Sequence, residues 1–215
     1  MLNFLIAENI RNDGNSILKQ VYRYQNVEYY VSGSSRQYIN GSKQMTKPEY
    51  AFDQMDKKYD WCSNCGKSVS DHPWLILGVK SRMMKLDGYY LRAGCCYSGC
   101  CCEDTGYCCE CCLFSWSFQI SNDNVTWNTI HKVEKDYEMR NCKEKTYTFS
   151  QSYTAKYARI IQDETCYDEP PCIALNKIEL IGSIEGNDIV DDRLNIDVDD
   201  DDVSIIGHIS KANLR

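Results

Sequence analysis

Leu113-Phe114-Ser115-Trp116-Ser117-Phe118-Gln119-Ile120-Ser121 is the stretch that decides the fold. Apolar residues at positions 114, 116, 118 and 120 alternate with polar residues at 115, 117, 119 and 121. A period of two is typical of a β-strand with one buried face and one face in water. The next residues, Asn122-Asp123-Asn124, predict a turn, because Asn and Asp tolerate left-handed geometry and bond their own backbone. A strand this aromatic needs a second sheet to cover it, so the stretch predicts a β-sandwich.

Short strands are predicted on both sides of this one. They span residues 27–32, 74–79, 86–92, 127–131, 145–149, 157–163 and 176–182. Turn residues separate them, and residues 33–47 are polar and predicted to form a loop. Many short strands with turns between them favour an all-β antiparallel sandwich over alternating strands and helices.

The two ends of the chain differ from this central part. Residues 1–26 are predicted to be a helical extension, since Ile17, Leu18, Val21 and Tyr22 recur at helical spacing after Ser16. This helix is either a lid packed on the sandwich or a partner-binding element. Residues 185–215 form an acidic C-terminal extension, predicted to be solvated, although its apolar residues 203–209 could dock on a surface.

Composition restricts the class of protein. A length of 215 residues fits one domain with extensions, here residues 27–184, or two small domains. The net charge of −7 argues against a nucleic-acid surface. No apolar run reaches the ~20 residues of a membrane span, and the first seven residues are too short and uncharged for a signal peptide. We therefore expect a cytoplasmic protein with reduced thiols, in which the sequons at Asn40 and Asn124 are chance matches.

Fourteen cysteines are present, and nine of them lie in the loop 95–112. If neighbouring strands alternate in direction, every loop that carries a cysteine emerges at the same end of the sandwich. We call this end the cysteine end. The cysteines are Cys62, Cys65, Cys95, Cys96, Cys100, Cys101, Cys102, Cys108, Cys109, Cys111, Cys112, Cys142, Cys166 and Cys172.

Clustered cysteines favour a structural metal. Cys62-Ser63-Asn64-Cys65 has the spacing of a zinc knuckle, and residues 108–112 contain overlapping versions of it. Four thiolates make a closed tetrahedral site, so we predict zinc as the cofactor, with all fourteen cysteines as candidate ligands. Disulfides, acylation beside Leu113 and Phe114, and reduced thiols without a metal remain alternatives.

No catalytic pattern is found in the sequence. The three histidines are His72, His131 and His208, and none follows a known catalytic spacing. With so many cysteines, none is marked out as a nucleophile. We therefore expect a protein that is not an enzyme, with no catalytic residues.

The order of several segments resembles the F5/8 type C, or discoidin, family, and more closely its intracellular branch. The segments are Ala51-Phe52-Asp53, Pro73-Trp74-Leu75-Ile76, Gly88-Tyr89-Tyr90-Leu91-Arg92, Ser115-Trp116 with Ser121-Asn122-Asp123 and Trp127, Tyr157-Ala158-Arg159-Ile160, and Leu175-Asn176-Lys177-Ile178-Glu179-Leu180-Ile181-Gly182. The resemblance covers about residues 27–183. It implies a galactose-binding-like jelly roll that is not catalytic and binds sugars, lipids or proteins through loops at one end. The family's connection that corresponds to residues 95–112 is short and not rich in cysteine.

Four residues at the predicted cysteine end are candidates for ligand binding. Asp53 matches the family's Ala-x-Asp position. Trp61 could stack on a sugar or anchor a protein, or could be a plug packed beneath its loop. Arg92 and Asp163 end strands and could bond a polyol or peptide, or could form structural ion pairs. The predicted function is a protein-binding component of an intracellular assembly, of which a cytoskeletal or ciliary assembly is one case. The alternatives are a carbohydrate-binding module and a metal-buffering or redox protein.

Overall fold

The computed structural model describes residues 15–64, 66, 68, 70–96, 113–165 and 171–186. In these residues one helix is followed by eleven strands, which form a five-stranded sheet, a four-stranded sheet and a two-stranded sheet. The elements are α1 (Ile17–Tyr22), β1 (Val27–Val31), β2 (Arg36–Ile39), β3 (Ser42–Met45), a 3-10 turn (Pro48–Ala51), β4 (Trp61–Cys62), β5 (Trp74–Val79), β6 (Met83–Ala93), β7 (Ser115–Ser121), β8 (Asn128–Val133), β9 (Glu144–Ala155), β10 (Tyr157–Glu164) and β11 (Ala174–Glu185).

The strands form an antiparallel sandwich. One sheet has the order β1-β5-β10-β7-β8, and the facing sheet has the order β4-β11-β6-β9. Most strands from β5 to β11 do not pair with the strand that follows them in the chain. The chain crosses from one sheet to the other between them, as in a jelly roll. The predicted all-β jelly-roll sandwich is confirmed, and each of the predicted strands is present, with β9 extending further than the sequence indicated.

Aromatic side chains fill the space between the sheets. Trp116 and Phe118 of β7 are almost completely buried, as the alternating pattern predicts. Tyr89 of β6 stacks on Phe118, with 4.4 Å between ring centroids, and its hydroxyl accepts a 3.1 Å hydrogen bond from Trp116 Nε1. The indole N–H of Trp116 and the hydroxyl of Tyr89 therefore have hydrogen-bond partners inside an apolar layer, which makes the burial of these two side chains favourable.

The opposite face of β7 is not in water, contrary to the sequence prediction. Ser115, Ser117 and Ser121 are each at most 5% exposed. β7 lies between β10 and β8, so longer neighbouring side chains cover these short ones. Their hydroxyls are hydrogen-bonded to carboxylates, which makes the burial tolerable. Alternation of apolar and polar residues predicted the strand, but not the solvation of its outer face.

The predicted loop 33–47 is wrong in part, because it contains a β-hairpin. β2 and β3 pair antiparallel, with Arg36 opposite Met45 and Ile39 opposite Ser42. The turn Asn40-Gly41 has positive φ at both residues, 51° and 79°. This geometry is favoured by Asn-Gly, and it matches the right-handed twist of a two-residue hairpin.

Helix α1 is the lid predicted for the N-terminal extension. Its residues Ile17, Leu18 and Val21 are buried, and Ser16 bridges Ile181 of β11.

Residues 1–14 of the extension and 187–215 of the acidic tail, with His208 and the apolar residues 203–209, lie outside the described residues. Among the residues described, no helix has the length and apolar character needed to cross a membrane.

Candidate functional site

The cysteine end of the sandwich is built from the starts of four strands, from the ends of the strands that pair with them, and from β4. β5, β7, β9 and β11 begin there, because Ile161 near the end of β10 pairs with Trp74, and Arg92 near the end of β6 pairs with Glu144. β4 joins them through the pairing of Cys62 with Ala174. The alternating strand polarity predicted from the sequence is therefore confirmed at this end.

The described cysteines all lie at this end. Cys62 is in β4, Cys95 and Cys96 follow β6, Cys142 precedes β9, and Cys172 precedes β11. The clustering is confirmed for these five. The other cysteines lie outside the described residues, namely Cys65, Cys100, Cys101, Cys102, Cys108, Cys109, Cys111, Cys112 and Cys166.

Two of these cysteines are joined to each other. Cys96 and Cys142 form a disulfide with 4.5 Å between Cα atoms, and Cys62 is also disulfide-bonded. A cysteine in a disulfide offers no thiolate to a metal ion, so these three are not zinc ligands in this state. Among the described residues, no group of three or more potential metal ligands comes together. Cys62, Cys96 and Cys142 are therefore in disulfides, which was one of the alternatives to a metal site. Zinc binding by the other cysteines stays a prediction.

A buried carboxylate supports the backbone at this end. Asp60 is 1% exposed, and its Oδ2 accepts hydrogen bonds of 2.8 Å from Gln37 Nε2 and from the Cys95 amide. Asn176 Nδ2 donates to Oδ1 at 3.1 Å. Burial raises the pKa of Asp60, against the effect of these donors. Asp60 thereby fixes the residue that precedes the Cys96–Cys142 disulfide.

Gly94 allows β6 to approach Ala174 and Asp60 closely. A Cβ atom on Gly94 would lie 2.6 Å from the Cβ of Ala174 and 3.0 Å from Cγ of Asp60. The Gly94 amide also donates to the Ala174 carbonyl at 2.9 Å. A side chain at position 94 would therefore push β6 away from β11 at the cysteine end.

Two of the four predicted binding residues are buried. Trp61 is 0% exposed, and its Nε1 donates to Ser34 Oγ at 3.0 Å. Its indole is not available to a ligand in this structure, so the plug alternative describes it. Asp53 is 4% exposed and forms an ion pair with Lys57, which is also buried. Burial lowers the pKa of Lys57, while Asp53 opposes that change. Asp53 therefore has a structural role here.

Arg92 lies at the cysteine end but is engaged with neighbours. Its Nε and Nη2 donate to Glu144 Oε2 at 2.9 and 2.8 Å, and Nη1 lies 3.3 Å from Asp56 Oδ1. Tyr90 donates to the same oxygen of Glu144 at 2.6 Å. These contacts fit the structural ion pair given as the alternative for Arg92.

Asp163 lines a cleft at the cysteine end of the sandwich. The cleft has a volume of about 380 Å³, and we call it the rim cleft. Its lining residues are Ser115, Lys132, Glu134, Lys135, Asp163 and Glu164. Arg92 belongs to the other sheet and does not line it. Sequence reasoning named Asp163 and missed the other five, because their proximity depends on the pairing of β7 with β8 and β10.

Two serines orient the carboxylates of the rim cleft. Ser117 Oγ donates to Asp163 Oδ2 at 2.6 Å, and Ser115 Oγ donates to Glu164 Oε2 at 3.1 Å. Among the described residues, neither carboxylate forms an ion pair. Each therefore retains acceptor capacity for a ligand while its position is held by the sheet.

The cations of the rim cleft come from β8 and the loop after it. Lys132 Nζ lies 2.9 Å from Glu134 Oε1. The hydrogen bond to Glu134 raises the pKa of Lys132, and that to Lys132 lowers the pKa of Glu134. Both groups are charged at neutral pH, so the cleft offers donors and acceptors together.

An exposed aromatic ring belongs to the loop that follows Lys135, although it is not among the lining residues of the rim cleft. Tyr137 is 65% exposed and packs edge-on against Phe114, with 4.9 Å between centroids. The amide of Asp136 donates to the Phe114 carbonyl, and that of Lys135 donates to Ser115 Oγ. These bonds fix the loop next to the start of β7. A tyrosine in an otherwise polar loop was the sequence signal that could have identified it.

The described histidines have structural contacts. His72 Nδ1 lies 2.9 Å from the Gln162 carbonyl, and His131 Nδ1 lies 2.8 Å from the Tyr89 hydroxyl. Burial lowers the pKa of His131.

Two other clefts lie away from the cysteine end. One, of about 400 Å³, includes Asp123, and one, of about 580 Å³, lies between α1 and β1.

Comparison with solved structures shows the fold. A family 32 carbohydrate-binding module from a Clostridium perfringens family 31 glycoside hydrolase matches at 12% identity and a TM-score of 0.54, over 80% of this chain and 97% of the module. A second C. perfringens module, solved with GalNAc-β-1,3-galactose, matches at 10% identity and 0.51, over 74% and 96%. The family 32 module of C. perfringens NanJ, solved with galactose, matches at 10% identity and 0.50, over 77% and 97%.

The sequence itself gives no such match. No protein-family model matches the chain, and no curated protein matches it. Structural similarity at 10–12% identity shows a discoidin-like jelly roll and does not identify the ligand of this chain. The resemblance predicted from the order of the segments is therefore confirmed for the fold, while the intracellular branch stays a prediction.

Proposed function

We propose that this protein is a noncatalytic carbohydrate-binding module and that a glycan binds at the rim cleft, beside Tyr137. Carbohydrate binding is one of the alternatives to the protein-binding role predicted from the sequence. The rim cleft is the observation that carries the proposal, because it combines oriented carboxylates, lysine donors and a neighbouring exposed ring.

The chemistry of the rim cleft suits a sugar. Each sugar hydroxyl both donates and accepts hydrogen bonds, so it can donate to Asp163 or Glu164 while it accepts from Lys132 or Lys135. An aromatic ring such as that of Tyr137 offers an apolar face to the C–H groups of a pyranose. A small number of placed polar groups beside an apolar surface is typical of small-ligand sites.

The solved relatives support this proposal. Two of the three similar modules were solved with galactose or a galactose-containing disaccharide. Their low identity means that the ligand of this chain need not be the same sugar. The structure and the solved relatives together favour a binding role over catalysis.

A glycan array probed with the full chain, followed by calorimetry on the sugars that bind, tests the proposal. We expect selective binding that Asp163→Asn weakens. Glu185→Gln, which alters an exposed carboxylate at the other end of β11, is the matched control and should leave affinity unchanged. The absence of selective binding by a folded, disulfide-bonded sample would rule the proposal out.

A protein partner, which was the main function predicted from the sequence, is the second candidate. The exposed ring of Tyr137 favours it, since exposed aromatic residues anchor protein interfaces. A partner that is captured by the wild-type chain and lost with Tyr137→Ala, in the absence of any glycan binding, would favour this candidate.

A further inference from the structure

The hairpin β2–β3 presents one of the two sequons in an open position. Asn40, Gly41 and Ser42 are all exposed, and β3 is exposed along its length. A Cβ atom built on Gly41 would have no heavy atom within 4 Å. The tip of this hairpin therefore has room for a large group attached to the side chain of Asn40.

The second sequon, Asn124-Val125-Thr126, lies in a closed turn. The amides of Val125 and Thr126 donate to Asp123 Oδ1 at 2.8 and 2.7 Å, and the Asn124 amide donates to Ser121 Oγ at 3.0 Å. Asn124 Oδ1 is enclosed by the protein. The side-chain amide of Asn124 is therefore partly enclosed by protein at its oxygen, and the residue is half-buried rather than exposed. The two sequons, equivalent as sequence patterns, thus differ in the folded chain.

The Cys96–Cys142 disulfide bears on the compartment. Disulfides persist in secreted and lumenal proteins and are rare in the cytosol. The compartment in which this bond forms is also the one in which Asn-X-Ser/Thr sequons of eukaryotic proteins are modified. The expectation of a cytoplasmic protein was drawn from the lack of a recognisable signal peptide. That expectation stays a prediction, and an oxidised Cys96–Cys142 pair argues against it, because a reducing cytosol keeps thiols reduced.

We propose that Asn40, and not Asn124, is an acceptor for an N-linked glycan. The donor is an oligosaccharide linked to a lipid diphosphate, and an oligosaccharyltransferase catalyses the transfer. Asn40 Nδ2 forms a bond to C1 of the first sugar, and the bond between C1 and the diphosphate oxygen breaks. The lipid diphosphate leaves with the electron pair, and the amide loses one proton to a base of the transferase. No oxidation or reduction takes place.

The test uses the full chain, directed into the secretory pathway of yeast or insect cells by a cleavable signal. Purified protein is treated with peptide N-glycosidase, which converts each glycan-bearing Asn to Asp, and peptide mass spectrometry then gives the occupancy of both sequons. A nonreducing peptide map in the same sample shows whether Cys96 and Cys142 are joined. The wild-type chain alone is sufficient for this measurement.

We expect glycan on Asn40 and an unmodified Asn124. Asn40→Gln and Ser42→Ala should each remove the glycan, whereas Thr126→Ala, which destroys the second sequon, should leave it in place. Secreted protein with the Cys96–Cys142 bond and a bare Asn40 would overturn the proposal, and so would equal occupancy of Asn124. Neither result depends on whether the rim cleft binds a sugar.

Discussion

The carboxylate of Glu179, on β11, lies 2.7 Å from the amide nitrogen of Leu18 and accepts its hydrogen bond. The other oxygen accepts from the amide of Lys19 at 3.2 Å. The first amides of a helix have no partner within the helix, and Ser16 makes no side-chain cap for α1. A strand of the sandwich thus supplies the cap, which fixes both the start of the helix and its position on the sheet.

Replacement of Glu179 by Ala should weaken the attachment of α1. The change leaves the amides of Leu18, Lys19 and Leu180 without their acceptor, and an unsatisfied buried donor costs about 1–3 kcal/mol. We expect the free energy of unfolding, measured in urea, to fall by about that amount. Glu185→Ala on the same strand, where the side chain is exposed, is the matched control and should change it little. An equal loss in both variants would contradict the capping role.

The titration of Glu179 should make stability depend on pH. Burial raises its pKa to about 7 from an ordinary value of 4.5, against the effect of the three backbone amides that bond it. The folded state therefore favours the protonated acid. Its contribution to stability is fully present below pH 4.5 and is lost as the pH rises through about 7. The full difference corresponds to roughly 3 kcal/mol.

Urea unfolding between pH 4 and 8, for the wild-type chain and for Glu179→Gln, measures this contribution. The variant cannot titrate at this position, so the stability of the wild type relative to the variant should fall with rising pH. A relative stability that rises instead would show that the backbone amides outweigh burial in setting the pKa.

The sequence allowed the strands to be predicted better than the site. The alternation in β7 and the turn at residues 122–124 depend on local chemistry, and both were located correctly. β2 was missed because Arg36-Gln37-Tyr38-Ile39 has little apolar character, although Asn40-Gly41 marks a hairpin turn. For the site, strand polarity placed Asp163 at the correct end. The identity of its neighbours depends on register and on contacts between strands distant in sequence, which no local pattern encodes.

Removal of the disulfide should destabilise the cysteine end. Cys96 and Cys142 are separated by 46 residues, and closure of a loop of that length corresponds to about 4 kcal/mol in the chain-entropy description. The double variant Cys96→Ser/Cys142→Ser should therefore unfold at a lower temperature than the oxidised wild type, and reductant, which also breaks the disulfide of Cys62, should lower the unfolding temperature of the wild type at least as far.

Elemental analysis and thiol counting on protein purified without reductant separate the disulfide from the predicted zinc. A chain held by disulfides loses stability with reductant and is indifferent to a chelator. Bound zinc together with reduced Cys96 and Cys142 would contradict the disulfide and would support the metal prediction.

Substitutions in the rim cleft should lower the affinity for a bound glycan without unfolding the protein. A hydrogen bond to a charged group contributes about 1.5–3 kcal/mol, so Asp163→Asn should weaken binding by at least about tenfold.

Tyr137→Ala should also weaken glycan binding, whereas Tyr137→Phe keeps the ring and should retain most of the affinity. Tyr137 is 65% exposed but packs against Phe114, so Tyr137→Ala should lower the free energy of unfolding by about 0.5–1.5 kcal/mol, and Tyr137→Phe, which keeps the ring contact, by less. Equal affinity of Tyr137→Ala and wild type would exclude the ring from the site.

Trp61→Ala should separate the two readings of this residue that the sequence left open. A ligand-binding tryptophan would lose affinity on replacement and leave the fold intact. The structure has Trp61 fully buried in β4, paired with Leu175, so its removal leaves a cavity, and a core Trp→Ala change costs about 3–5 kcal/mol. We therefore expect a large loss in thermal stability and an unchanged affinity per folded molecule, measured by calorimetry well below the unfolding temperature. Trp61→Phe fills part of the cavity and should restore part of the stability. If both variants kept the stability of the wild type and lost the glycan, the indole would have to reach solvent, and the site would extend from the rim cleft to β4.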